Sequence, residues 1–491
     1  MNVDLEPRSQ TIMNQNPEKT KVLILGGTGE MGQWFTRFFK ERGYEVTVWG
    51  KGGKTEIARK LEVPFASDLE EAVPISDIVI VSVPINVTEA TITEFAPKMK
   101  AGSLLMDFTS IKVKPLEAMR KFAPSDVEIL GTHPMFGPTI PTIQGQTVIL
   151  VPVKGRSEKW FPIIRELFEE GGAHVEITTA AEHDRLVSVV QGLTHFAYIT
   201  IGTTIDRLNF NVKRSRKFVS PVYDIMLDFV GRILGQNPYL YALIQMENPG
   251  VLEVHDAFIA ECEELSKFVR AHDEEGFVKK MKAAARQYGD TAHALRKSDK
   301  LINSRIAEYE TILSSIGKVC GFSHYYSGKT HVGTLKKVGP DEIILAKLVS
   351  KGTSPHVKNK FVKLKLENLR LLSESELQEW RKENLEHSTR DISVLIPEGA
   401  DPEVILNVIG TNKQLVACEI SDIYRGLNLK GCKEPKRGEI KKERNEVERL
   451  AVTYRIKVFG DCNADSVETN ITALLCGLGC RIREKDLRPK K

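Results

Sequence analysis

A glycine-rich loop near the start of the chain has the residue types and spacing of a dinucleotide-binding turn. Gly27, Gly29 and Gly32 follow the apolar residues 22–25 and open an apolar helix. The first glycine permits a tight turn, the second lets backbone amides approach a pyrophosphate, and the third lets the helix pack on the strand. The helix N-terminus attracts the anion. The pattern predicts a dinucleotide site, and its alternative is an ordinary glycine-rich turn.

The end of the second predicted strand bears on which dinucleotide binds. An NAD site usually has Asp or Glu there, which accepts hydrogen bonds from the adenosine ribose. In this chain residues 46–49 are followed by Gly50, Lys51 and Lys54. Cations in place of a carboxylate suit the 2′-phosphate of NADP. The loop therefore favours NADP, with NAD as the second cofactor considered and a solvated basic loop as the alternative.

Three side chains that can move protons or bind anions follow strands of the same predicted sheet. Ser110 and Lys112 come directly after one strand, and His133 ends the next, held between Gly131 and Pro134. In an open parallel sheet the ligand crevice lies beyond the carboxyl ends of the strands. A histidine in this position is a candidate acid or base, and a structural role is the alternative.

Polar residues in the helical middle of the chain form a second set of candidates. His183, Gln191 and His195 recur along one segment, and the last two, four residues apart, share a helix face. A satisfied polar pair at a helix interface is the alternative. Arg232 lies in a largely apolar helix and is a candidate anion-binding cation, although Asp228, four residues earlier, offers it a salt bridge.

The spacing of apolar residues predicts the elements that hold these side chains. In residues 21–180, short β-branched runs alternate with amphipathic stretches, which predicts a Rossmann dinucleotide-binding α/β domain with a mostly parallel sheet. In residues 181–316 the apolar period becomes that of a helix, and strand signals are few. We expect an all-helical domain there.

The last third of the chain has a different pattern. Residues 317–389 are Lys-rich and strand-like, which predicts a basic, β-rich connecting region. Residues 390–486 have the order strand, helix, strand, strand, helix, strand, which predicts a split ferredoxin-like α+β domain. Along residues 450–459 apolar and polar side chains alternate, as a strand with one buried face requires.

Composition limits the class of protein. With 41% hydrophobic and 27% charged residues over 491 positions, the chain is neither disordered nor fibrous and should form roughly two to four domains. A net charge of +4 is too small to indicate wholesale binding to a polyanion. The seven cysteines form no CxxC pair, which predicts reduced thiols and no metal site.

The chain start and the hydropathy bear on location. The polar residues 1–20 have no apolar region behind a basic start, so we expect a disordered tail. No window approaches the length of about eighteen uninterrupted apolar residues that a membrane helix needs. We therefore expect no membrane span and place the protein in the cytoplasm.

The motifs of residues 21–300 together resemble the prephenate dehydrogenase family of the tyrosine pathway. Their order and spacing agree across most of this range, which is more specific than any single motif. The matching motifs are GGTGEMG at 26–32, DFTSIK at 107–112, GTHPMFGP at 131–138, EHD at 182–184, QGLTHF at 191–196, SPVY at 220–223, GRILGQNPYLY at 231–241 and GD at 289–290.

The resemblance implies oxidative decarboxylation of prephenate to 4-hydroxyphenylpyruvate, with hydride leaving C4 of the substrate for a nicotinamide. His133 matches the family's catalytic histidine, which accepts a hydrogen bond from the C4 hydroxyl while neutral. Ser110 would orient it. Lys112 and Arg232 would meet the carboxylates of the substrate.

The same resemblance implies further site residues and partners. It implies a homodimer through the helical domain, and an aromatic amino acid effector is a further candidate partner. The residues expected near the substrate are Gln191, His195 and Tyr241, and those expected near the cofactor are Gly27, Thr28, Gly29, Glu30, Met31, Gly32, Lys51, Ser82 and Pro84.

Two positions depart from the family pattern, and the substrate has an alternative. Asp224 stands where some relatives have Arg, and Gly50 with Lys51 replaces the acid of NAD-using relatives. Arogenate, which has an amine in place of the side-chain ketone, would use the same machinery. Arogenate dehydrogenase is therefore the alternative enzyme.

The C-terminal hundred residues resemble the ferredoxin-fold anticodon-binding domain of phenylalanyl-tRNA synthetase β chains. The resemblance rests on residues 390–397, 419–426 and 452–456. It implies RNA contact through basic side chains such as Arg425, Arg455, Lys457 and Arg481. Because fold does not fix function, we favour a regulatory or assembly module over RNA binding. An RNA-associated, nucleotide-sensing protein is the alternative of a different class.

Overall fold

A computed structural model of the chain describes residues 20–348, 361–426 and 449–483. The chain divides into two compact units, residues 1–289 and 290–491. The tail expected at residues 1–20 lies, apart from Thr20, outside the described residues.

Seven strands form one sheet in the first unit: β1 (Lys21–Leu25), β2 (Glu45–Trp49), β3 (Ile78–Val81), β4 (Leu104–Asp107), β5 (Glu128–Pro134), β6 (Thr147–Pro152) and β7 (His174–Ile177). Their order is β2-β1-β3-β4-β5-β6-β7. The strands β1 to β5 are mutually parallel, and β6 is antiparallel to β5. The prediction of a mostly parallel sheet is confirmed.

Six helices lie between these strands: α1 (Glu30–Lys40), α2 (Thr55–Leu61), α3 (Leu69–Ile75), α4 (Ile85–Phe95), α5 (Val113–Phe122) and α6 (Trp160–Glu170). They cover both faces of the sheet, so β3 and β4 are buried along their whole length and are apolar except for Asp107 at the end of β4. One core contains Phe35 and Trp160, and the other contains Leu105 and Met119. This is the Rossmann architecture that the sequence predicts.

Seven helices complete the first unit: α7 (Ala180–Val187), α8 (Thr194–Arg207), α9 (Val212–Ser215), α10 (Pro221–Leu234), α11 (Pro238–Glu247), α12 (Val251–Ala271) and α13 (Glu274–Tyr288). A π-helical segment, Ser188–Leu193, joins α7 to α8. Proline is the first residue of α10 and α11, where its missing N–H costs no hydrogen bond, and Ser220 and Asn237 cap these two helices. The prediction of a helical region after the sheet is confirmed.

The second unit begins with α14 (Thr291–Leu313) and a five-stranded antiparallel sheet. Ile312 of this helix shares a core with Phe322 and Leu335 of the sheet. The strands are β8 (Val319–His324), β9 (Thr330–Val338), β10 (Glu342–Lys347), β11 (Phe361–Lys365) and β12 (Leu369–Leu371), in the order β11-β10-β9-β8-β12. Helix α15 (Glu374–Asn384) follows behind a capping box of Ser373 and Glu376.

The last elements are β13 (His387–Leu395), α16 (Pro402–Gly410), β14 (Leu415–Gly426), β15 (Arg449–Phe459), α17 (Ala464–Gly477) and β16 (Arg481–Ile482). The strand order is β14-β15-β13-β16, and the strand pairs are antiparallel. Along β15, Val452, Tyr454 and Ile456 are buried, and they share a core with Ile405 and Ile471 of the two helices. The predicted ferredoxin-like topology is confirmed.

Candidate functional site

The loop between β1 and α1 needs glycine at several positions, for lack of space at Gly27 and Gly32 and for its backbone conformation at Gly26. A Cβ at Gly27 would come within 2.6 Å of Val48, and one at Gly32 would collide with the carbonyl of Gly26. Gly26 itself has φ +91°, in the left-handed region. Among the described residues, no side chain caps the N-terminus of α1 at Gly29. The loop therefore fits the pyrophosphate of a dinucleotide, whose oxygens would meet the amides of the first helical turn.

The remaining cofactor candidates lie around this loop. Ser82 and Pro84 follow β3, and Ser82 is close behind the loop, because a Cβ at Gly26 would collide with the Ser82 carbonyl. Glu30 and Met31 lie in the first turn of α1, where Glu30 is exposed. The structure thus brings the predicted cofactor residues to one edge of the sheet.

At the end of β2, Gly50 lies against Thr28 of the glycine-rich loop. Thr28 leaves so little space that a Cβ at Gly50 would collide with the Thr28 side chain. Beyond Gly50, the side chains of Lys51 and Lys54 are exposed. A carboxylate therefore has no room at position 50, whereas two cations are free to meet an anion in solvent.

His133 is the penultimate residue of β5 and lies at the centre of a line of polar side chains. It is 2% exposed. Its Nδ1 lies 2.9 Å from Nε2 of His183, whose own Nδ1 lies 2.7 Å from Oδ1 of Asp184. On the other side, Nε2 of His133 lies 3.2 Å from the amide nitrogen of Gln191. Two elements that follow the sheet, α7 and the π-helical segment, thus supply partners to both ring nitrogens.

The partners determine which nitrogens carry protons. An amide nitrogen only donates, so Nε2 of His133 accepts from Gln191. A carboxylate only accepts, so Nδ1 of His183 donates to Asp184. Nε2 of His183 is then the acceptor for the N–H at Nδ1 of His133. The resulting His133 ring presents its lone pair on Nε2.

The surroundings also keep His133 uncharged. Burial lowers the pKa of His133 well below the usual value near 6.5, and the nearby ammonium of Lys112 lowers it further. A ring with a lowered pKa remains a hydrogen-bond acceptor at neutral and mildly acidic pH. His133 therefore has the protonation state that a general base needs.

On the helical side of this line, two buried polar atoms have no protein partner among the described residues: Oε1 of Gln191 and Nδ1 of His195. Buried polar atoms are normally hydrogen-bonded, so unpaired ones mark a position for a ligand.

The ring of His195 packs edge-on against Tyr241 at 4.7 Å. Burial raises the pKa of Tyr241, while the charge of Arg232 acts in the opposite direction. Arg232 itself is exposed.

The structure changes the interpretation of Lys112. Its side chain is fully buried, forms an ion pair with Asp107, and donates a 2.9 Å hydrogen bond to the carbonyl of Thr132. The predicted contact with a substrate carboxylate does not fit this position, because the ammonium points into the sheet between β4 and β5. The sequence placed Lys112 at the correct end of the strand but could not show the direction of its side chain.

Ser110 differs from its expected contact, and Arg232 differs from its alternative one. Ser110 is half-buried after β4, but among the described residues the partner of Nδ1 of His133 is His183 rather than Ser110. Asp228, the expected alternative partner of Arg232, forms an ion pair with Arg216 at 2.8 Å. The role of His183 was missed, although the adjacent acid in the sequence was an available signal.

Comparison with known families gives two matches. The description "Prephenate dehydrogenase, nucleotide-binding domain" matches residues 35–177. The description "Prephenate dehydrogenase, dimerization domain" matches residues 179–283.

Individual relatives extend these matches. The chain is 38% identical over 469 residues to the "Probable arogenate/prephenate dehydrogenase" of Methanocaldococcus jannaschii, covering 94% of this chain and 98% of the relative. It is 30% identical over 285 residues to the "T-protein" of Haemophilus influenzae, covering 58% and 71% of the two chains. A solved prephenate dehydrogenase from A. aeolicus, in complex with hydroxyphenyl propionate and NAD+, covers 55% of this chain and 97% of its own at 20% identity and a TM-score of 0.45.

The buried position of Lys112 predicts that its loss affects stability. Lys112→Ala leaves Asp107 buried without its cation, so we expect the free energy of unfolding to fall by about 3–5 kcal/mol. Lys114→Ala is the matched control, because Lys114 is exposed and its pair with Glu247 is worth about 0–1 kcal/mol. Denaturant unfolding of both variants measures the difference. A Lys112→Ala protein with the stability of the parent but a raised KM for substrate would restore the substrate-contact interpretation.

Proposed function

Because the chain belongs to the prephenate dehydrogenase family, we propose that this oxidoreductase converts prephenate to 4-hydroxyphenylpyruvate with NADP, as a step of tyrosine biosynthesis. The observation that supports this most directly is His133. Its ring is buried at the carboxyl end of a central strand, its pKa is lowered, and its Nε2 is an acceptor.

The proposed chemistry needs a neutral base at the C4 hydroxyl of the substrate. Bound NADP would supply the acceptor for the C4 hydride. Nε2 of His133 takes the hydroxyl proton as the C4 carbonyl forms. When the bond to the departing carbon dioxide breaks, its electron pair passes through the ring to the C4 oxygen, the ring becomes aromatic, and that oxygen takes the proton back from His133. Help of this kind contributes about 10²–10⁴-fold to a rate. Burial keeps the ring free of a proton before the substrate arrives.

The substrate also carries two carboxylates, which need a cation. We assign this role to Arg232, because it is exposed and its charge reaches Tyr241. Tyr241 in turn packs on His195. The unpaired atoms of Gln191 and His195 complete a polar wall for the ring and its substituents. Lys112 is left out of this set because its ammonium is buried.

Arogenate is the alternative substrate. It shares the ring, the C4 hydroxyl and the ring carboxylate with prephenate, so His133 would act on both in the same way. The M. jannaschii relative is named for both substrates. We favour prephenate because the sequence offers no obvious extra carboxylate for the ammonium group of arogenate.

The proposal of NADP rests on the end of β2. Thr28 excludes a side chain at position 50, and with it the carboxylate that would bind an unphosphorylated ribose. The exposed Lys51 and Lys54 supply charge for a 2′-phosphate.

We further propose a cytoplasmic homodimer formed through the helical part of the first unit. Large apolar side chains are exposed there, including Val222 at 71% and Leu252 at 70%, and such surfaces mark interfaces. Residues 180–207 form the one helical run among the described residues that is long and apolar enough to cross a membrane, yet the same run contains His183 and Gln191 of the site. A subunit interface accounts for its apolar faces.

For the ferredoxin-like domain we propose regulation or assembly, with an aromatic amino acid as the candidate effector. RNA contact is less favoured because Arg455 is paired with Asp391 through two hydrogen bonds of 2.9 and 3.0 Å. Lys457 and Arg481 are exposed, and the side chain of Arg425 lies outside the described part of the chain. A carboxylate beside a cation weakens its attraction for phosphate.

The proposed mechanism predicts the effect of removing the base. His133→Asn should lower kcat with prephenate and NADP by about 10²–10⁴-fold, because the acceptor for the hydroxyl proton is lost. The affinity for NADP should be nearly unchanged. Formation of reduced cofactor, assayed with prephenate and with arogenate, measures the turnover. In the parent, kcat/KM should fall only when the pH drops through the lowered pKa of His133, because protonation removes the lone pair.

The exposed His174 supplies the control, and His174→Asn should retain the turnover of the parent. Persistent turnover in His133→Asn would exclude the mechanism. Turnover of arogenate in preference to prephenate would support the alternative enzyme.

Cofactor choice is predicted to depend on the loop after β2. Changing both Lys51 and Lys54 to Ala should lower kcat/KM with NADP by about tenfold or more and leave that with NAD nearly unchanged, because a charge-assisted hydrogen bond is worth about 1.5–3 kcal/mol. Lys60→Ala, an exposed cation in α2, is the control. A parent enzyme that prefers NAD would contradict the proposal.

The assignment of the C-terminal domain predicts weak interaction with RNA. The full-length protein should give no shift of tRNA in an electrophoretic assay at physiological salt. A shift that weakens as salt rises, and weakens again in Lys457→Ala, would instead support phosphate contact and the RNA-associated alternative.

A further inference from the structure

The pair His183 and Asp184 lies behind His133, on the side away from the substrate hydroxyl. Both residues are buried, with 1% and 5% exposure. His183 approaches Nδ1 of His133 and Asp184 approaches Nδ1 of His183. The two adjacent residues of α7 therefore extend the line of hydrogen bonds from the base into the protein interior.

Asp184 is held in place from several directions. Its Oδ1 accepts a 2.7 Å hydrogen bond from the backbone N–H of Lys112, and its Oδ2 accepts a 3.0 Å bond from that of Val113. Its main-chain carbonyl accepts from the side chain of Asn248 at 2.8 Å. The carboxylate thus joins the start of α5 to α7, and this fixes its position relative to β5.

We propose that His183 and Asp184 are the positioning residues of the base, a role that the resemblance assigned to Ser110. Asp184 holds the proton of His183 on Nδ1, and this leaves Nε2 of His183 as the acceptor for the Nδ1–H of His133. The His133 ring is thereby fixed in the tautomer whose Nε2 lone pair faces the substrate. As the hydroxyl proton moves to Nε2, the neutral His183, backed by the negative Asp184, stabilises the charge that develops on His133.

The charges around His133, His183 and Asp184 keep the base neutral and place a negative charge behind it. The ammonium of Lys112 lies close enough to lower the pKa of both histidines, but Asp107 pairs with it directly. Asp184 acts in the opposite direction on His183. Burial remains the largest influence on both rings. The line is therefore uncharged at its catalytic end and negative at its buried end.

This inference rests on the proposed function, and substitutions at His183 separate it from a packing role. His183→Gln places an amide oxygen where it can accept from Nδ1 of His133, and we expect kcat within about tenfold of the parent. His183→Leu fills the buried space with an apolar side chain that has no hydrogen-bond acceptor, and we expect kcat to fall by about 10²-fold or more. KM for prephenate should change little in both, because neither variant alters a group that contacts the substrate.

Two readouts besides rate distinguish positioning from folding. The nitrogen NMR signals of His133 are those that are missing from the spectrum of His133→Asn. In the parent without ligand, and in His183→Gln, these signals should show the proton on Nδ1. In His183→Leu the acid limb of the kcat/KM profile should move to lower pH, because protonated His133 loses the acceptor that stabilises its charge, whereas His183→Gln keeps an acceptor and should keep the parental profile. Thermal unfolding and NADP affinity of the variants serve as checks of the fold.

The outcomes are distinct. A parent protein whose His133 carries its proton on Nε2, or a folded His183→Leu protein with parental kcat, would overturn the positioning role. If His183→Leu does not fold, the parental tautomer and the His183→Gln profile still decide the question. A parent that does not turn over prephenate or arogenate would contradict the proposed function, whereas the NMR result needs no substrate and would stand separately.

Discussion

The exclusion of water from His133 is the constraint on which the rest of the site depends. An imidazole in solvent is partly protonated near neutral pH, and a protonated ring cannot accept a proton. Burial lowers the pKa of His133, but it also removes the water that would satisfy both ring nitrogens. The protein must therefore provide one hydrogen-bond acceptor and one hydrogen-bond donor for the two ring nitrogens. It does so with the acceptor His183 on one side and the donor Gln191 on the other.

The same need for balance explains the charged groups beneath the site. A buried cation beside His133 helps to keep the ring neutral, but an unpaired ammonium would be costly. Asp107 pairs with Lys112, and Thr132 accepts a further hydrogen bond from it. Asp184 is matched in a different way, by two backbone N–H groups at the start of α5. Each buried charge is compensated locally, so the neutral state of the base does not depend on distant surface charges.

Much of the fold follows from sequence because its signals are periodic. Apolar runs of strand length, alternation along residues 450–459 and the glycine spacing at 26–32 each constrain the backbone directly. The same reasoning predicts only part of the site. Strand ends located Ser110, Lys112 and His133, but the direction of a side chain depends on what is packed around it. Lys112 turns inward because Asp107 lies within reach on the preceding strand, a pairing that spacing alone does not reveal.

The π-helical segment shows why the helical side of the site was harder to derive. An ideal helix places residues four apart on one face, and this spacing predicts that Gln191 and His195 lie together. The wider turn at Ser188–Leu193 changes that register, and π segments of this kind are frequent at functional sites. Here the segment carries the Gln191 amide to the lone pair of His133. On the proposed function, Gln191 holds the ring satisfied until the hydroxyl replaces it, and its unpaired Oε1 is then available to the ligand.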